Sequence, residues 1–356
     1  MWARSTQALY AGVTIANVTD GRSALLELLR GHRLTGIVMA AARLGVPDAI
    51  AAGAHGVEEI ATATGTHAPT LGRLLRALAA AGVLHEAQDG TFELTSVGEA
   101  MRTDVPGSSA AQVALMDRDY IHEVWRNLDH AVRTGANEFT ALHGEDIWTW
   151  RGARPDEEQL FDRGMTAMSA GIGEAVAAAF DFGSAAVVAD IAGGAGSMLA
   201  GVLRAHPHLR GILFDQPDVV RRASEVTAPD LGARCEVVGG SFFESVPAGA
   251  DVYMLKAILH DWEDPESIAI LRSIGAVIPA DGTLLVVERV IGPPNEDLEG
   301  RLSDLHMLLM PGGRERTRAE WTDLLAAGGF RLTDVRPLRA LWQLIVATPM
   351  PRGKER

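Results

Sequence analysis

From residue 184 onward, short apolar runs alternate with segments of helical spacing: AAVVADI, GSMLAGVLRAH, GILFD, VVRRASEV, CEVVGG, DVYMLK, a helix through 265–278, then GTLLVVERV. A strand covered on both faces reads as a continuous apolar run. Strands that alternate with helices of this length build βαβ units, so the texture predicts a doubly wound parallel sheet of the α/β class. Short runs near 330–335 and 341–347 are candidates for two more strands.

Such sheets bind ligands at the carboxyl ends of their strands, and the polar residues fall there. Asp190 ends the first run and is followed by a glycine turn with Gly193, Gly194 and Gly196. Glycine lets the chain turn tightly and approach a ligand closely. The turn lacks the third glycine at the spacing of a pyrophosphate site, which disfavours NAD. Asp215, in LFDQP, follows the second strand, where an acid accepts both hydrogen bonds of a ribose diol or caps the next helix; both can hold. GGSFF offers Phe242 or Phe243 to an adenine face.

DVYMLK ends in Lys256, and His260, Asp261 and Trp262 follow in LKAILHDW. The unperturbed pKa of histidine lies close to physiological pH, so the ring can take a proton and return it. Glu288 ends LLVVE, and Glu315 lies in the polar loop PGGRERT. A carboxylate on one imidazole nitrogen fixes the tautomer and leaves the other as base. The plainer readings are a solvated histidine at a helix end and a charged loop.

The first half differs. Residues 1–22 are weakly patterned, with room for a short helix. Leu25, Leu28, Leu29, Leu34, Ile37, Val38 and Ala41 recur at helical spacing. Two more helices are expected over 57–63 and 68–81, the second capped by Thr66 or Thr70. GVLHEAQDGTFELT predicts a hairpin turning at Asp89-Gly90. The outline is a winged helix, which serves DNA binding or plain packing. The 68–81 helix carries only Arg73 and Arg76, and the chain has a net charge of −14, which opposes binding to nucleic acid or an anionic membrane. Residues 108–180 are helical in pattern and rich in Trp125, Trp148, Trp150, Phe139, Phe161, Met165 and Met168, as core or as the wall of an aromatic pocket. The single Cys235, expected in the core near a strand, excludes an intrachain disulfide. No apolar run is long enough to span a bilayer and no signal core opens the chain, so a cytoplasmic protein is expected.

The ordered set DIAGGAG, FDQP, GSFF, LKAILHDW, VVER and GGRERT resembles the S-adenosylmethionine-dependent small-molecule O-methyltransferases, the plant caffeate and flavonoid type with its actinobacterial natural-product relatives. FDRGMTAMS at 161–169 is similar to that family's helix before the glycine turn. The resemblance implies a class I methyltransferase Rossmann-like sheet behind a mostly helical winged-helix-like dimerisation domain. The division would be residues 1–105 for dimerisation, 106–183 as a helical linker lining the substrate pocket, and 184–350 for S-adenosylmethionine binding and catalysis. It implies that Ser169, Asp190, Gly193, Gly194, Asp215, Gln216, Ser241, Phe242 and Lys256 meet the cofactor. His260 would be the base, framed by Glu288 and Glu315. Met165, Asp261, Trp262, Asp304 and Met307 would line the pocket of an aromatic acceptor, in a homodimer, without a metal. Two positions depart from the family pattern. Ala192 stands where a third glycine is usual, and Ser241 replaces an aspartate that accepts from the adenine amine, a neutral bond weaker by about 1 kcal/mol. The rival readings are a homologue turned to cofactor-assisted hydroxylation or decarboxylation, and a winged-helix DNA-binding regulator.

Overall fold

The structure, a computed structural model, describes residues 20–105, 107–339 and 341–351. The short helix expected at the start of the chain lies outside them. The chain divides into two compact units, Met1–Asp117 and Arg118–Arg356. No helix among the described residues is long and apolar enough to cross a membrane.

In the first unit, Asp20 caps the helix Gly21–Arg43 by accepting from the amides of Arg22 and Ser23. Shorter helices follow at Val46–Ala51, Val57–Thr64 and Ala68–Ala80. The last has His67 at its N-cap with no side-chain cap bond and a proline in its first turn, so neither Thr66 nor Thr70 caps it. Strands β1 (Leu84–Glu86) and β2 (Phe92–Leu94) pair antiparallel about Gly90, whose φ of 82° needs glycine. Ile60, Leu71, Leu75, Leu78 and Phe92 close the core. The first half of Gly21–Arg43 stays outside it: Leu25, Leu28 and Leu29 are 56%, 48% and 60% exposed.

The second unit begins with six helices between Asp119 and Ala179. Then come β3 (Val187–Ile191), β4 (Arg210–Asp215), β5 (Cys235–Gly239), β6 (Val252–Lys256), β7 (Thr283–Glu288), β8 (Val290–Ile291), β9 (Arg316–Thr317), β10 (Phe330–Pro337) and β11 (Gln343–Pro349). Seven of them form one sheet in the order β10-β11-β7-β6-β3-β4-β5. The five strands β3 to β7 are parallel, and β11 and β10 join antiparallel, so the sheet is mixed rather than wholly parallel. Alternate residues supply opposite cores: Met254 and Leu285 pack on one face, Tyr253, Leu255, Leu284 and Val286 on the other. That two-sided burial is why these strands read as unbroken apolar runs. The chain winds from β3 outward to β5, then returns to β6 on the other side of β3. The carboxyl ends of β3 and β6 therefore flank the point where the winding reverses, where such folds bind ligands.

Candidate active site

Asp190, near the end of β3, is 1% exposed, and neither carboxylate oxygen has a hydrogen-bond partner in the protein. Burial pushes its pKa up to about 7, against the pull of Lys256. The turn that follows is tight. Ala192 has a left-handed backbone, φ 57°, and its amide donates to the Phe214 carbonyl at 2.7 Å. A side chain on Gly193 would stand 2.7 Å from the Asp190 carboxylate and would also strike Leu213. Gly194 donates its amide to Asp215 Oδ2 at 2.8 Å, and Gln216 donates its amide to Oδ1 at 2.7 Å. Gln216 itself is exposed. The acid after β4 is thereby locked to the glycine turn after β3.

Beyond β5, the Ser241 hydroxyl accepts from the Phe243 amide at 3.3 Å. Phe242, Phe243 and Trp262 pack edge to face, with Phe243 and Trp262 centroids 4.9 Å apart. Ser169 ends the helix Pro155–Met168, which carries Met165, and donates its hydroxyl back to the Met165 carbonyl at 2.7 Å. Lys256 ends β6 with its ammonium 4.6 Å from the Trp342 ring centroid. Burial lowers its pKa, opposed by Glu288, Asp190 and Asp261.

After Lys256 the chain makes a left-handed step at Ala257, φ 53°, into a short 3-10 turn over Leu259–Asp261. His260 rides on that turn, 7% exposed. Glu288 at the end of β7 holds the turn: its Oε1 accepts the amides of Ile258, Leu259 and His260 at 2.9, 3.0 and 3.4 Å. The carbonyls on the other side are held by Arg316, wholly buried, which donates to Leu259 and Trp262 at 2.9 and 3.0 Å and pairs with Asp264.

The imidazole lies among three carboxylates. Nδ1 is 3.0 Å from Glu315 Oε1 and 3.4 Å from Glu288 Oε2; Nε2 is 3.6 Å from Asp261 Oδ1. Glu315 is oriented by the helix Leu298–Leu309: Ser303 donates to its Oε1 at 2.7 Å, and Asp304 accepts its amide at 3.0 Å. Met307 lies on the same helix, half-buried. Burial opposes charging His260, but Glu288, Glu315 and Asp261 outweigh it, and its pKa rises to about 10. Burial raises the Glu288 pKa, while the charge of His260 holds Glu315 low against its own burial. Asp261 is pushed by burial up to about 7. His260, Glu288 and Glu315 bring one ligand atom each within 4.8 Å of one another, close enough for a cation, though Glu288 Oε1 and Glu315 Oε1 already receive backbone, hydroxyl and imidazole donors. The arrangement can do acid–base work: Nδ1–H donates to carboxylate, so the tautomer is set and Nε2 is the nitrogen that exchanges a proton.

The fold brings to this neighbourhood two residues that the sequence did not single out, His306 and Arg151. Trp125 donates to His306 Nδ1 at 3.3 Å, and burial lowers the His306 pKa to about 4, which keeps that ring neutral. Arg151, 7% exposed, lies beside Tyr120 and stacks 3.9 Å from the Phe161 centroid. The one signal in the sequence is a lone arginine inside IWTWRG. Of the large side chains singled out over residues 108–180, Phe139 is fully buried and Met168 packs against the core, while Trp148 and Trp150 are half-buried.

Residues 125–331 match the O-methyltransferase domain family and residues 26–104 the O-methyltransferase dimerisation domain. The chain is 38% identical to phenazine O-methyltransferase PhzM of Lysobacter antibioticus, over 92% of this chain and 96% of that one. It is 39% identical to the O-demethylpuromycin-O-methyltransferase of Streptomyces alboniger, over 92% and 89%. Among solved structures it is similar, with a TM-score of 0.75 and 33% identity, to an O-methyltransferase from neocarzinostatin biosynthesis in complex with S-adenosylmethionine and 2-hydroxy-5-methyl naphthoic acid, covering 89% and 96% of the two chains.

Proposed function

The chain belongs to the O-methyltransferase family and is an S-adenosylmethionine-dependent methyltransferase, and from that premise we propose that it methylates a hydroxyl of an aromatic small molecule in natural-product biosynthesis, with His260 as general base. The observation that carries the proposal is the imidazole whose Nδ1 is occupied by Glu315 while Nε2 has no carboxylate closer than 3.6 Å.

The ends of β3 and β4 fit the cofactor. Asp190 offers two buried oxygens without protein partners, suited to an ammonium, and Gly193 leaves a cradle that a side chain would fill. Asp215 keeps a second lone pair on each oxygen for a ribose diol while the amides of Gly194 and Gln216 fix its plane. Phe242 and Ser241 would flank the adenine, Phe242 by offering a ring face. When bound, the cofactor supplies a methyl group on a sulfonium sulfur, which needs no metal to be reactive.

The protein's part is proton management and positioning. A phenol has a pKa of about 10, and the imidazolium of His260 is raised to about 10. The two are matched, so the proton moves from the acceptor hydroxyl to Nε2 with little penalty. The resulting imidazolium is stabilised through Nδ1 by Glu315 and Glu288. A relative named for N-methylation, the phenazine-1-carboxylate N-methyltransferase of Pseudomonas aeruginosa, makes the acceptor atom the point to test. An oxygen acceptor is favoured because a hydroxyl must lose a proton to this base.

The dimer would form through the exposed leucines of Gly21–Arg43, in a protein that works in the cytoplasm. Light scattering of Leu25→Glu and Leu29→Glu variants, monomeric against a wild-type dimer, checks the dimer. The function is tested by incubating the protein with S-adenosylmethionine and a panel of phenols and aromatic amines. Mass transfer to oxygen, weakened by Asp215→Ala through cofactor affinity, supports the reading. Transfer to nitrogen alone overturns it.

A further inference from the structure

His306 is held as a hydrogen-bond donor that no protein group answers. Trp125, on the helix Asp119–Arg126, brings its indole N–H to 3.3 Å from His306 Nδ1. An indole nitrogen can only donate. Nδ1 therefore carries the lone pair, and a flipped ring would turn a carbon toward that donor. Burial, joined by the charges of Arg151, His260 and Arg289, brings the His306 pKa down to about 4. The ring is neutral at working pH, with its one proton on Nε2.

Nε2 has no hydrogen-bond partner among the described residues, and it is not sealed off, because the half-buried ring keeps part of its surface open. An unused donor in such a recess costs free energy unless a ligand answers it. The recess adjoins the chemistry. Ser303, one turn earlier on the helix Leu298–Leu309, donates to Glu315 at 2.7 Å, and Glu315 holds His260 Nδ1 at 3.0 Å. Residues three apart share a helix face, so His306 stands on the face that reaches the catalytic imidazole. Asn137 pins that end of the helix by donating to the Leu308 and Met310 carbonyls at 2.8 and 3.0 Å. The two histidines carry opposite tautomers: in its base form His260 offers a lone pair at Nε2, whereas His306 offers an N–H there.

We propose that His306 is a specificity-determining residue whose Nε2–H donates to a carbonyl oxygen on the aromatic acceptor, with Trp125 as the positioning residue that sets its tautomer. This rests on the reading of His260 as base toward an aromatic hydroxyl. A carbonyl oxygen only accepts, which suits a nitrogen that only donates. An acceptor that presents a hydroxyl to His260 and a carbonyl to His306 is fixed at two points. One whose second group can only donate meets a donor and is turned away.

The tautomer is read first, by nitrogen NMR of the full-length protein carrying isotope-labelled histidine and saturated with S-adenosylhomocysteine. The His306 ring, assigned by its loss in His306→Gln, should be neutral with its proton on Nε2 down to about pH 5. Trp125→Phe should leave it neutral and mix the tautomers. A proton on Nδ1, or a ring that titrates near neutrality, overturns the proposal. Specificity is then read by calorimetry. Hydroxytetralones with the hydroxyl meta to the ketone, where its acidity changes little, are titrated against the tetrahydronaphthols that lack the ketone. Wild type should favour the ketones by about tenfold. His306→Phe should abolish that preference with S-adenosylhomocysteine affinity intact. His306→Gln should keep part of it, because the amide still donates, and Trp125→Phe should reduce it. Equal binding of the two series by wild type overturns the proposal, as does binding of neither. So does a preference that survives His306→Phe, or a loss of S-adenosylhomocysteine affinity in its place. The methyltransferase reading is judged separately, by S-adenosylhomocysteine binding to wild type and methyl transfer to the tetrahydronaphthols, which carry no carbonyl.

Discussion

The backbone of Gly313 lies flush against the carbonyl of His260, and a side chain at 313 would collide with that oxygen and with the backbone of Asp261 and Trp262. The next residue, Arg314, donates its amide to the same carbonyl at 2.9 Å. The loop that brings in Glu315 is thus fitted to the turn that carries the imidazole.

Gly313→Ala is therefore expected to separate catalysis from folding. Forcing a methyl into a packed site costs about 1–3 kcal/mol, which displaces the turn without unfolding the unit. Turnover should fall by about 10²-fold, a loss of the size caused by misplacing catalytic groups, while S-adenosylhomocysteine affinity in calorimetry stays near wild type. A variant with full turnover would show that the turn tolerates displacement.

The pH dependence follows from the His260 pKa of about 10. At neutral pH the resting ring carries both protons and must lose one before it can act as base. We expect kcat/KM to climb by about tenfold per pH unit above neutrality and to level near pH 10. Glu315→Gln removes one of the charges that raise the pKa, so its plateau should come at lower pH. His260→Gln should lower kcat by about 10²–10⁴-fold, with partial recovery at high pH as the phenol ionises by itself. A wild-type profile already flat by pH 8 would contradict the charge balance of the site.

Stability should move the opposite way. The folded chain holds the His260 proton to about pH 10, against 6.5 for a free ring. The resulting stabilisation is complete below pH 6.5 and is lost as pH rises through 10. Asp190 and Asp261, at about 7 against 3.8, act in the same sense over pH 3.8 to 7. Between pH 6 and 10, wild type should lose melting temperature faster than His260→Gln does. Parallel curves in scanning calorimetry would show that the proton is not held there.

Ala192 takes a left-handed backbone in which its Cβ costs about 1–2 kcal/mol. Ala192→Gly removes that strain but loosens the unfolded chain by about 0.5–1 kcal/mol. The net expectation is a gain of up to about 1 kcal/mol by denaturant titration, with cofactor affinity no weaker than wild type. Ala192→Val should lose stability, since a β-branched residue is worse still at positive φ. A stability loss in Ala192→Gly would show that the alanine methyl packs usefully.

What could be read along the chain was whatever repeats locally. The runs GILFD and LLVVE are β4 and β7 because two covered faces demand unbroken apolar residues, and the turn at Gly90 shows itself as Asp-Gly between two short strands. Orientation at the sheet's edge was not readable: Phe330–Pro337 and Gln343–Pro349 pair antiparallel, which converts a parallel expectation into a mixed sheet. In the site, the spacing of His260, Glu288 and Glu315 located the strand ends that bear them. It did not reveal the burial of Glu315, which depends on Ser303 and Asp304 twelve and eleven residues upstream. Asp304, expected to face an acceptor, is engaged with the Glu315 amide, and the Ser241 hydroxyl with Phe243. Arg151 and His306 gain their character only from neighbours distant in sequence, and no local pattern encodes that.

Lys256 gives the site a built-in chemical reporter. Lysine occurs at only two positions in the chain, 256 and 354, and the second lies outside the described residues. The ammonium at 256 is packed over Trp342 with its pKa held down by burial. A lowered pKa leaves more free amine to react, while the packing bars reagent from reaching it. Acylation at that position, followed by peptide mass mapping, would read the accessibility of this one ammonium without any engineered label.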